Sequence, residues 1–119
     1  MKKTYLLILS LISLNICAQN ITWQNVNINV PFENTDSVYN LIDGFYSNIQ
    51  IPEGVRVSLW SIEYKGSNEK ATHVLNFAGS KEALAEFESR KLTPEWDAYV
   101  SKLNSLTSRD GFSVTAGVT

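Results

Sequence analysis

In this chain apolar side chains recur at every second residue in some stretches and at every third or fourth residue in others. The order of those two periods limits what the chain can fold into. Ile21 to Val30 sets Val26, Ile28 and Val30 against Asn25, Asn27 and Asn29, the period of a strand with one apolar and one polar face. Pro31 ends it. Asn34-Thr35-Asp36-Ser37 offers helix caps, and Val38, Leu41, Ile42 and Phe45 follow at i, i+3, i+4 and i+7, an amphipathic helix. Gly44 weakens its last turn, which frays near Ser47-Asn48. Ile51-Pro52-Glu53-Gly54 reads as a turn. Val55 to Tyr64 and Ala71 to Phe77 read as a hairpin around Lys65-Gly66-Ser67-Asn68. Ser80 is a candidate cap before Ala83, Leu84 and Phe87. Thr93-Pro94 is a fresh cap with proline at the first helical position, before Trp96, Tyr99, Val100, Leu103 and Leu106. The second helical region is therefore either kinked at Pro94 or split there. Asp110-Gly111 reads as a turn, and Phe112 to Thr119 as a last strand.

The order strand, helix, strand, strand, helix, strand predicts an α+β, ferredoxin-like βαββαβ domain. Right-handed crossovers would place the helices on one face of a four-stranded antiparallel sheet, with the first and third strands central. Strand parity then sorts the side chains. With Val26, Ile28, Val30, Val55, Val57 and Leu59 toward the helices, Trp23, Asn25, Asn27, Asn29, Arg56, Ser58, Trp60, Ile62 and Tyr64 point to the open face. The third strand offers His73, Leu75 and Phe77 or Thr72, Val74 and Asn76. The stronger apolar set belongs inside, which puts His73 at an end of the core.

The start of the chain has a different character. Lys2 and Lys3 precede a run of about 12 mostly apolar residues, the core length of an export signal and too short for a helix that spans a bilayer, which takes about 20. Ala18 suits cleavage before Gln19, so residues 1–18 read as a signal peptide and 19–119 as one domain, exported to the periplasm or secreted. Cys17 raises the alternative of lipidation, but the bulky Ile16 before it disfavours that, and soluble export is expected. Cleavage would remove the single cysteine, leaving no disulfide, thiol nucleophile or thiolate ligand. It would also remove two lysines, leaving 8 basic against 12 acidic side chains. That balance, with no basic stripe, argues against nucleic acid, whose phosphates need clustered Lys and Arg.

Chemical equipment is sparse. One histidine and no retained cysteine cannot build an ordinary zinc site, and no phosphate-cradling glycine loop or nucleophile elbow is present. The charge run of Lys81, Glu82, Glu86, Glu88, Arg90 and Lys91 reads as a solvated helix face with Glu86–Arg90 as an i,i+4 pair. No cofactor is expected. The informative surface is the open face, where Trp23, Asn25, Asn27, Arg56, Trp60 and Tyr64 are candidate ligand or interface residues, with His73 at the core's end. Two tryptophans and an isoleucine on one face suggest burial. Homodimerisation sheet to sheet is the first expectation, a small apolar ligand the second, and a plain exposed sheet the third.

The element order, with Pro94-Glu95-Trp96-Asp97-Ala98-Tyr99 in the second helical region, resembles the dimeric α+β barrel superfamily, which includes antibiotic-biosynthesis-monooxygenase-like and stress-responsive barrel proteins. The resemblance spans roughly Ile21 to Thr119. It implies a sheet-to-sheet dimer and a cavity between sheet and helices. One branch degrades haem with an Asn on the first strand, a Trp and a His, for which Asn25 or Asn27, Trp60 and His73 are the counterparts. In that branch the histidine lies on a helix, whereas His73 sits mid-strand and reads as a hydrogen-bonded structural residue. A non-catalytic exported protein that self-associates or binds a small ligand is the leading expectation. A cofactor-independent monooxygenase-like or haem-handling enzyme is the alternative.

Overall fold

A computed structural model describes residues 20–90 and 93–119. The segment read as a signal peptide lies outside the described residues, as do residues 91 and 92. The chain forms β1 (Thr22–Asn29), α1 (Thr35–Ser47), β2 (Arg56–Ser61), β3 (His73–Gly79), α2 (Lys81–Ser89), α3 (Pro94–Leu106) and β4 (Ser108–Val118), with a short 3-10 turn at Phe32–Asn34 ahead of α1. The four strands make one antiparallel sheet in the order β2-β3-β1-β4, with the first and third strands central as their order in the sequence predicts. Among the described residues no helix is long and apolar enough to cross a membrane.

Strand register fixes the two faces. Val26 stands opposite Leu75 and Val114, and Leu75 opposite Leu59, so these four share the helix-covered side. Ile28, Leu75 and Phe77 are buried there with Val38, Ile42 and Tyr46 of α1, Leu84 and Phe87 of α2, and Tyr99 of α3. Rings dominate the packing. Phe45 stacks on Tyr99 at 4.2 Å between centroids and 8° between planes, and Tyr46 meets Tyr99 edge-on at 5.6 Å. Phe77 lies 5.6 Å from Phe87. Such pairs add to the stabilisation from buried area.

The helical region splits rather than kinks. The α2 helix is capped by Ser80, whose hydroxyl accepts from the Ala83 N–H, and α3 by Thr93, whose hydroxyl accepts from the Trp96 N–H, with Pro94 at the first turn. Two expectations need correction. The second strand stops at Ser61 rather than Tyr64. The Ser61 hydroxyl donates to the Glu63 carboxylate at 2.9 Å as the chain leaves the sheet, and Tyr64, 97% exposed, lies beyond it. Asp110-Gly111, read as a turn before the last strand, lies inside β4 instead. Between Asn27–Ser113 and Asn29–Ser108 the register shifts, and β4 carries three more residues than β1. This is a multi-residue bulge, larger than the common kind with one extra residue. Gly111 adopts a φ of 94°, and a Cβ there would lie 2.8 Å from the Ala71 nitrogen, so only glycine fits the bulge.

Candidate functional site

The open face is organised in rows across the sheet. One row runs Arg56, Ala78, Trp23, Gly117, the next Ser58, Asn76, Asn25, Thr115, and the next Trp60, Val74, Asn27, Ser113. Ile62 follows beside Thr72, whose carbonyl accepts its N–H at 2.8 Å. Down the middle runs an asparagine stripe whose amides are engaged sideways. Asn76 donates to the Asn25 side chain at 2.6 Å, Asn27 to the Ser113 hydroxyl at 2.9 Å, and Asn29 to the Asp110 carbonyl at 3.0 Å. Trp23 lies across Gly117, where a Cβ would come within 2.6 Å of its ring. Trp60 stands 63% exposed at the β2 side. The structure thus brings together Trp23, Asn25, Asn27, Arg56 and Trp60 on this face.

His73 is not with them. It points into the helix side, 7% exposed, opposite Ile28 and Ser61. Its Nε2 is 3.0 Å from the Tyr39 hydroxyl on α1, and its Nδ1 is 2.8 Å from Thr72 Oγ1. Thr72 Oγ1 in turn accepts the Val30 N–H at 2.9 Å. Burial holds the imidazole below its ordinary pKa, so it is neutral at pH 7 and satisfied at both nitrogens. Asn27 and Trp60 lie on the other side of the sheet from this imidazole, so the trio expected for haem chemistry does not converge.

Two grooves flank α1 on the helix side, because the three helices cover the central strands more fully than the outer ones. The groove along β4, of about 640 Å³, runs between that strand and α3 and is walled by Val26, Trp96, Val100, Leu103, Phe112 and Val114. Phe112 and Val114 are 57% and 50% exposed although they point to the helix side. At its floor the Tyr46 and Tyr99 hydroxyls are buried close to each other. Burial pushes both phenols above their ordinary pKa, so both are neutral. The groove along β2, of about 790 Å³, is bounded by Tyr39, Ile42, Asp43 and Tyr46 of α1 and by Val57, Leu59, Ser61 and Glu63.

Sequence parity identified the open-face residues but missed Tyr39, Tyr46 and both grooves. Tyr39 lies off the α1 stripe of Val38, Leu41, Ile42 and Phe45, and its partner is 34 residues away, so no local pattern marks it. A signal for the β4 groove was present in Phe112 and Val114, apolar residues on an outer strand.

No protein-family model matches this sequence, and no curated protein does. Solved structures do. A NIPSNAP family protein from Agrobacterium tumefaciens str. C58 aligns over 85% of this chain and 84% of its own at 12% identity, with a TM-score of 0.56. A dimeric protein of unknown function and ferredoxin-like fold from Bacteroides fragilis NCTC 9343 aligns over 83% and 94% at 13% identity, TM-score 0.51. A candidate antibiotic biosynthesis monooxygenase from Chloroflexus aurantiacus J-10-fl aligns over 83% and 92% at 9% identity, TM-score 0.51. At these identities the likeness establishes the shared ferredoxin-like fold, which is that of the superfamily the element order resembles, and fold alone does not assign an activity.

Proposed function

We propose that the chain is an exported domain that self-associates through its open sheet face and takes up a small apolar ligand in the groove between β4 and α3, without catalysing a reaction. The observation that carries this reading is the state of the asparagine stripe. A polar group is costly to bury when its hydrogen bonds are lost. Here the amides of Asn76, Asn27 and Asn29 each already donate one hydrogen bond within the sheet, so covering them with a second sheet costs less than burying free amides. Trp23, Trp60, Val74 and Ile62 surround the stripe and supply the apolar area that gains from being covered. A two-fold arrangement buries the same patch on both copies, and this face supplies one contiguous patch. The Bacteroides fragilis neighbour, described as dimeric, supports the same reading. The β4 groove has the size and apolar lining usual for small-molecule sites, about 300–1,000 Å³. The separation of His73 from Asn27 and Trp60 favours binding over the haem-handling alternative.

The test is light scattering on the chain from Gln19 to Thr119. The expected result is twice the chain mass, falling to a single chain mass in Trp60→Glu with an unchanged far-UV circular dichroism spectrum. A wild-type protein that stays at single mass at high micromolar concentration overturns the proposal.

A further inference from the structure

The groove along β2 differs from the one along β4 in its charge. Its α1 side is one helical face. Tyr39, Ile42, Asp43, Tyr46 and Ser47 stand at i, i+3, i+4, i+7 and i+8, and all border the space. On the β2 side Val57, Leu59 and Ser61 share one strand face, with Glu63 just past the strand end. The floor is apolar, formed with Leu75 and Ile51. Among the described residues Asp43 and Glu63 are the charged ones at the rim, and no Lys, Arg or His borders it. Among the described residues neither carboxylate is in a salt bridge. Asp43 accepts from Ser47 at 3.4 Å and Glu63 from Ser61 at 2.9 Å, and these neutral donors leave the negative charge of each in place.

We infer that this groove is a second binding site, selective for a small organic cation: an ammonium group on an apolar body. The apolar part would lie on Ile42, Val57, Leu59 and Leu75, and the ammonium between Asp43 and Glu63. Such a cation gains from two carboxylates beside a low-dielectric wall, and from the ring of Tyr39, since aromatic faces attract cations. An anionic amphiphile of the same shape meets only like charge.

The Tyr39–His73 contact makes that wall rigid. The rings meet edge-on at 5.4 Å and 83°, with the hydroxyl tied to Nε2. Because burial keeps the imidazole neutral at pH 7, no positive charge stands behind Tyr39 to oppose a cation. The groove shares Tyr46 and Leu75 with the β4 groove, and Ser58 and Trp60 of the open face also border it. Asp43 and Glu63, however, border this groove and not the β4 groove, so the variants below separate it from the function proposed above.

The experiment uses the chain from Gln19 to Thr119 with octyltrimethylammonium and octyl sulfate, both below their micellar concentrations, followed by backbone amide NMR shifts. The expected result is saturable binding of the ammonium with shifts confined to Tyr39–Ser47 and Val57–Glu63, and weaker binding of the sulfate there. Asp43→Asn with Glu63→Gln should weaken ammonium binding about fivefold or more, in keeping with two partly exposed charge pairs. Glu53→Gln with Glu82→Gln, away from the rim but equal in net charge, should leave it unchanged. Equal binding of the sulfate, equal weakening by both double variants, shifts centred on Val100–Val114 instead, or no ammonium binding at millimolar concentration would each overturn the inference.

Discussion

The two faces of the sheet use the same strands in opposite ways. On the helix side Leu75 and Phe77 are 3% and 2% exposed and lie among aromatic rings from all three helices. One residue along, on the other side, Asn76 points away from that core and bonds Asn25 instead. Alternation along β3 thus separates a face whose stability comes from apolar burial from one whose amides each make a hydrogen bond to a neighbour on the same face. A polar strand face whose amides are partly paired among themselves is cheaper to cover than one whose amides depend wholly on water.

The largest expected contrast lies within β3. Phe77→Ala should lower unfolding stability by about 3–5 kcal/mol, the range for emptying a buried aromatic position. Its neighbour Asn76→Ala should cost about 1 kcal/mol, the net worth of one hydrogen bond. Urea denaturation at low protein concentration reads both, and similar losses would dissolve the distinction between the faces. Next in size is an acid effect at the end of the core. Because the folded His73 has a lowered pKa, the unfolded chain takes up a proton first as pH falls. Stability should therefore be full above about pH 6.5, the unfolded value, and decline below it until the folded imidazole also protonates. In His73→Asn the urea midpoint should lose less between pH 7.5 and 5.5. An identical decline in both proteins would locate the effect elsewhere.

Smaller still is the expected effect on the β4 groove. Phe112→Ser removes an exposed wall, so it should weaken uptake of naphthalene several-fold, read by equilibrium dialysis, with little change in the urea midpoint. If naphthalene uptake follows Leu59→Ser instead, the apolar ligand belongs to the β2 side. The least effect belongs to the ion pair of Lys70 with Asp110, at 2.7 Å and fully at the surface, since such pairs contribute little. Lys70→Ala should leave the thermal midpoint unchanged within error.

Much of this architecture was legible in the sequence because it follows from periodicity. Val26, Ile28 and Val30 declare the buried side of β1, and Thr93-Pro94 declares the start of α3. The described part of the charge run, Lys81, Glu82, Glu86, Glu88 and Arg90, is solvated, with Arg90 bonded to Glu86. The misreadings share a cause, which is that tertiary contacts override local signals. Asp110-Gly111 has turn chemistry, yet Asn29 holds the Asp110 carbonyl and Gly111 packs against the Lys70–Ala71 backbone, so the dipeptide becomes a bulge within β4. The alternation through Ile62 and Tyr64 looks like continued strand, but the side chain of Glu63 bonds back to Ser61 and the chain leaves the sheet. Of the candidate site, the open-face residues could be placed by parity. The Tyr39–His73 contact and both grooves depend on how far the helices reach across the sheet, which no local pattern encodes.

The central claim is that the open face is covered in solution, and its tryptophans can report on it. Of the three tryptophans, Trp23 and Trp60 lie on that face and Trp96 on α3. In Trp96→Phe, iodide quenching therefore reads the open face alone. If this face is the interface, the Trp96→Phe protein at dimer-forming concentration should resist quenching, and its quenching constant should rise several-fold on dilution to single chains. A quenching constant that is already high in the concentrated sample, as a 63% exposed Trp60 would give if left uncovered, would contradict the account.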